Sequence, residues 1–138
     1  MIPNYIGLIT ASSAFLGIWF GHVAVRKIEY ISPTIWLPSL VALLLGLTME
    51  AGALIADNLN LSATLGIIGI TFLWDSIEFF RQHQRIKKGH APANPANPRH
   101  ARLLAKNNQA TTIDWLDRNP IGRQLSPEEL DSIPGSSI

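Results

Sequence analysis

Up to Phe80 this chain is almost wholly apolar; from Arg81 onward the sequence is polar, basic and rich in Pro and Asn. A globular domain mixes core and surface residues along its whole length, so a segregation this sharp assigns the chain two environments. At 138 residues, 47% of them hydrophobic, one soluble domain would fit by size alone. Wrapping three fully apolar helices in a polar tail of that length is poor geometry, however. The sequence therefore reads as an all-α membrane protein: three transmembrane helices, the third extended into the cytoplasm, then a mostly irregular Pro- and Asn-containing tail with short helices. The absence of cysteine removes disulfides, thiolate metal sites and a Cys nucleophile. The opening MIPNYIG carries no Lys or Arg, and no cleavage-type small-residue site precedes a polar chain. The first apolar stretch is accordingly expected to be kept as a span.

The spans are expected at Tyr5 to Val25, Trp36 to Ala56 and Leu59 to Phe80, each about one hydrocarbon thickness long. A loop with Arg26, Lys27 and Glu29 follows the first, and Ser32-Pro33 ends that helix. Pro38 falls in the first turn of the second, where a missing N–H costs nothing. Asp57-Asn58 form a short connection, and Asn60 is expected to cap the third helix. Lys and Arg near the ends set the orientation. They occur in the first loop and after helix three, at Arg81, Arg85, Lys87 and Lys88, and are missing from the Asp57-Asn58 turn. Both basic regions are thus expected in the cytoplasm and the N-terminus outside, in a bacterial cytoplasmic membrane.

The expected division is a transmembrane domain with a basic extension at 1–88 and a peripheral tail at 89–138. RQHQRIKK continues helix three to Gly89, which suits a helix C-terminus with Lys87 and Lys88 against the dipole. Pro92, Pro95 and Pro98 then predict an extended polyproline strut without a core. ARLLAKNN reads as a short interfacial turn with Leu103 and Leu104 on lipid or protein, and Trp115 and Leu116 as tail anchors. Ser126-Pro127-Glu128-Glu129 is a capping box opening a two-turn helix. No piece buries enough to stand alone, so an ordered tail has to be ordered by something else. The basic region 81–106 is suited to anionic lipid headgroups. Nucleic acid is not expected as a partner, because aromatic interleaving and zinc-knuckle or helix-turn-helix patterns are missing.

Ionisable residues inside spans are expensive and mark function or helix-helix contacts. His22 lies three residues from the inner end of span one, and Asp75 and Glu78 lie five and two from that of span three. With Arg26 and Arg81 they predict a polar cluster joining helices one and three and setting the angle of the basic rod, while tail residues such as Arg99 are expected to matter little for folding. Glu50, about 21 Å into helix two by helical rise, is an intramembrane carboxylate with no basic neighbour in sequence. Ser13, Gly17 and Gly21, Ala42 and Gly46, and Ser62 and Gly66 repeat at four-residue spacing and form the helix-packing faces. Trp36 suits an interfacial belt, whereas Trp19 and Trp74 lie deeper. No catalytic motif or phosphate-binding loop is present, so no enzyme is expected, nor a metal or cofactor. Ligation of a haem or chlorophyll by His22 is the remaining cofactor reading.

Three stretches carry a family resemblance: NYIGLI, GHVAVRKIEY and, above all, LSATLGIIGITFLWDSIEFFRQHQRIKKGHAPANP. They resemble domain-of-unknown-function family 4491 over roughly residues 4 to 98, with Trp74, Glu78, Arg85, Gly89, Asn94 and Pro95 at the positions of its pattern. The resemblance implies small bacterial integral membrane proteins and no activity; residues 99–138 extend beyond the usual family ending. Two functions are left open by the residues. One is an accessory or assembly subunit of a larger membrane complex, an energy-converting one, holding other membrane-protein subunits through the small-residue seam and the tail. The other is a small homo-oligomeric proton or ion carrier using Glu50, Asp75 and Glu78.

Overall fold

A computed structural model of the protein describes residues 4–117, 126, 128, 129 and 132. The chain is all-α, with helices α1 (Ile6–Ile31), α2 (Trp36–Ile55), α3 (Leu59–Lys87) and α4 (Pro98–Lys106). The first three are each long and apolar enough to cross a membrane. Helix α1 runs on through Arg26–Tyr30, where a loop was expected, because no breaker precedes Ser32-Pro33. The α3 cap is Asn58 rather than Asn60: its Oδ1 accepts from the amides of Asn60 and Leu61 at 2.9 and 3.1 Å.

The chain divides into two compact units, one of Met1–Val25 with Trp36–Phe79 and one of Arg26–Ile35 with Phe80–Ile138. This differs from the expected boundary after residue 88, since the ends of α1 and α3 belong with the tail.

In the first unit α3 packs on both other helices. A Cβ at Gly17 would lie 3.2 Å from Thr71 Oγ1, and one at Gly21 2.5 Å from Asp75 Oδ2; both partners lie the same number of residues ahead, so α1 and α3 run parallel. Against α2 the order reverses. Gly46 faces Gly69 and Leu73, Glu50 faces Gly69, and Ala53 faces Gly66. Hydroxyls add to this contact, with Ser39 Oγ donating to Ser76 O at 2.6 Å and Ser62 Oγ to Ala53 O at 2.8 Å. Helices approach this closely where one partner lacks a side chain. Large apolar residues on the remaining faces, such as Phe15, Leu44 and Ile70, are exposed, as lipid-facing residues are.

The second unit has a core of Ile86, Ala91, Ala93, Leu104 and Ala110, with Leu103 packed against it. Helix α3 ends in a Schellman turn: Gly89 N donates to Ile86 O at 3.0 Å and His90 N to Arg85 O at 2.8 Å, with Gly89 at φ +74°. The proline-spaced segment is not a strut. Ala91 and Ala93 are buried, Pro92 bridges to Thr111, and Ala93 N donates to Thr111 O at 2.8 Å. Its alanines are small enough to pack while its prolines hold the backbone extended beside residue 111. Asn97 then caps α4, with Pro98 in its first turn. Leu104, expected at an interface, is 1% exposed. Farther on, Ser126 and Glu129 form the reciprocal capping-box bonds at 2.9 and 3.3 Å; most of the expected helix after them lies outside the described residues.

Gly89 is the position most sensitive to a side chain, because its φ is left-handed and a Cβ would collide with Gln109 O. Gly89→Ala is expected to cost the second unit at least about 1–2 kcal/mol from the backbone alone. Hydrogen exchange of the Ala91–Ala110 amides checks it: accelerated exchange is expected, with span amides unchanged.

Candidate functional site

The second unit encloses a carboxylate cluster at the C-terminus of α1. A helix end leaves carbonyls without intrahelical partners; at α1 Ser32 N meets Ile28 O at 2.8 Å, and the carbonyls of Glu29, Tyr30 and Ser32 are met by the tail. Asn97 Nδ2 donates to Tyr30 O at 3.2 Å and Ser32 O at 2.9 Å, and Asn94 Nδ2 to Tyr30 O at 3.2 Å. Arg99 reaches the same end, its Nη2 donating to Glu29 O at 2.7 Å and Ser32 O at 3.2 Å. A cation there also opposes the negative end of the helix dipole.

The Glu29 side chain is 1% exposed and lies 2.7 Å from Arg99 Nη1 through Oε1. The same oxygen is 3.3 Å from His100 Nε2. The tautomer of His100 follows from its other nitrogen, because Nδ1 accepts from Asn94 N at 2.9 Å; Nε2 therefore carries the proton and donates to Glu29. His83 is different. Its Nδ1 lies 2.7 Å from Arg99 Nη1, and guanidinium only donates, so Nδ1 is an acceptor. Its 3.6 Å approach to Glu29 Oε1 is then proximity, not a hydrogen bond. Glu29 Oε2 is buried with no partner among the described residues. The arrangement neutralises and immobilises a buried charge.

The residues expected as one polar cluster come from both units. His22, Asp75 and Glu78 lie in the first unit, Arg26 and Arg81 in the second. Asp75 and Glu78 are buried and His22 is exposed; His22 and Glu78 are the titratable groups beside Asp75. Arg26 instead pairs with Asp114 at 3.2 Å, both ends more than a third exposed, a contact worth less than about 1 kcal/mol. Glu50 is half-buried with its carboxyl against Gly69. Gly69 and Asp75 are six residues apart, roughly 120° around α3, so Glu50 and Asp75 sit on different sides of that helix. Of the expected packing residues, Gly17, Gly21, Gly46 and Gly66 face helices of the same chain, Ala42 is buried, Ser62 bonds α2 and Ser13 lines a trough beside α3. Trp115 and Leu116 are exposed, with Trp115 Nε1 donating to Gly89 O at 3.2 Å.

Arg99, expected to matter little, is thus the centre of the second unit, and Glu29, His100 and Asn97 were missed with it. A signal existed: Asn97-Pro98 is a cap followed by proline at the first helical position, and Ala101 and Leu104 recur on one face behind it. Arg99→Ala is expected to leave the Glu29 carboxylate buried without its cation, with His100 still donating to it, at a cost of about 3–5 kcal/mol. Arg99→Lys should restore only part of this, since one ammonium cannot reach Glu29 and the carbonyls as a planar fork does. Thermal unfolding in detergent with proteolysis of the tail checks both; wild-type stability of Arg99→Ala would remove the role assigned to it.

No curated protein and no solved structure matches the chain. The family model for a domain of unknown function (DUF4491) matches residues 4–97. Arg85, Gly89 and Asn94 in that range hold the helix turn and the α1 end described above, while Arg99 and His100 lie just past it. With its spans and the capped end of α1 inside the matched range, the chain belongs to the DUF4491 family.

Proposed function

We propose that this protein is a non-catalytic accessory or assembly subunit of a larger membrane complex, presenting its second unit to a partner on the cytoplasmic side. The observation that carries the reading is the role of the buried ionisable residues in that unit: Glu29, His100 and Arg99 are engaged with one another and with the end of α1. What they leave outward is a recognition surface. Lys87, Lys88 and Lys106 line a polar hollow with Asn107, Asn108 and Gln109, and Lys88 lines a second with Trp115. Exposed Trp and Leu beside cations make the kind of patch that docks on a protein surface or rests against anionic headgroups. The orientation rests on Arg26, Lys27 and the basic run from Arg81, which the positive-inside rule places in the cytoplasm. A complex that converts energy fits a small subunit without a catalytic set, and respiration is therefore one of the readouts.

Gentle extraction of the tagged protein from its native membrane, followed by native mass measurement, tests this. Partner subunits are expected to co-purify, and a Lys88→Gln, Lys106→Gln, Leu116→Ala variant to recover them several-fold less well at unchanged melting temperature. A chain that always runs free of other proteins, with growth and respiration unaltered by its deletion, would falsify the reading.

A further inference from the structure

We propose that the trough between α1 and α3 binds one hydrocarbon chain of a membrane amphiphile whose uncharged hydroxyl head donates a hydrogen bond to Asp75. The trough lies wholly in the first unit. It has a volume of about 620 Å³ and is lined mainly by apolar side chains, among them Leu8, Leu16, Phe20, Ile68 and Phe72, with Asp75 also on its wall. Asp75 is 6% exposed, and among the described residues it makes no hydrogen bond or ion pair. Its carboxyl is turned to Gly21, which lines the trough as well: a Cβ there would lie 2.5 and 2.9 Å from the two carboxyl oxygens. A buried carboxyl without a partner costs free energy that a donor recovers. His22 and Glu78 are its titratable neighbours.

The dimensions select the occupant. The trough follows α1 from Leu8 to Ala24, about 24 Å by helical rise. Spread over that length, 620 Å³ makes a long, narrow trough open along one side. One hydrocarbon chain fits lengthwise in it. Depth selects the head. Asp75 lies five residues before Phe80, about 7 Å inside the last apolar turn, where an ammonium would be stripped of water and a hydroxyl in a hydrogen bond is tolerated.

The probe is hexadecanol carrying a diazirine in its chain, photolysed with the full-length protein in phosphatidylcholine nanodiscs. Expected is saturable labelling of α1 and α3 peptides, displaced by unlabelled hexadecanol roughly tenfold better than by hexadecyl methyl ether, the preference one hydrogen bond gives. Asp75→Leu should erase that preference while leaving labelling, whereas Ser13→Phe and Thr64→Phe, which fill the trough from α1 and α3, should abolish it. The fillings are independent, so whichever keeps the wild-type melting profile decides. Labelling that does not saturate, that survives a well-folded filling variant, or that is displaced equally by alcohol and ether in the wild type overturns the proposal. So does high-yield disulfide formation between copies of Leu16→Cys, since the chain has no other cysteine and a second copy would then occupy the trough.

Discussion

The end of α1 has no cap of its own, and the second unit depends on how that is resolved. The carbonyls of Glu29, Tyr30 and Ser32 receive their donors from Asn94, Asn97 and Arg99, more than sixty residues away in sequence. Ordering that much chain against one helix end is entropically costly. The cost is offset only because several contacts form together: the capping bonds, the Glu29–Arg99 pair, and a small core around Ile86 and Leu104. None suffices alone. A buried ion pair contributes little net stability against apolar residues of the same volume, yet removing one partner is severe. The pair therefore acts chiefly to specify which segment caps α1, and a tail docked in another register would leave Glu29 buried and unmatched.

This dependence explains which parts of the molecule were legible in the sequence. Span number and the Gly89 stop are local properties, set by apolar runs and by one residue's backbone freedom, and they read directly. The capping box at Ser126 and Glu129 is local too. The proline-spaced segment reads as a strut because its contribution to the core is Ala91 and Ala93, side chains too small to produce a hydrophobic pattern beside prolines. Nor does a helix end announce that its cap is distant. Arg26 illustrates the same limit: from sequence it belongs beside His22, one turn away, but Asp114 supplies its carboxylate.

Glycine in the spans has a second role besides close approach of backbones. Gly46 has the expected one: a Cβ there would lie 2.9 Å from Gly69 O, so its absence lets the two backbones approach. Gly21 and Gly69, by contrast, stand opposite acidic side chains, Asp75 and Glu50 respectively, and a methyl group at either would press on a carboxyl oxygen at 2.5 or 2.8 Å. Each glycine supplies the volume that lets an acid of a neighbouring helix lie between helices instead of in lipid. Because the two contacts use different sides of α3, one helix takes part in both without bringing the acids together. Glu50 is held at the α2 contact and Asp75 at the wall of an open trough, so the two carboxyls have different access to anything that enters from the bilayer. A small-residue stripe in this chain is therefore better read together with the acids that face it than as a helix-association motif by itself, and the acid on the trough wall marks where the helix packing is open.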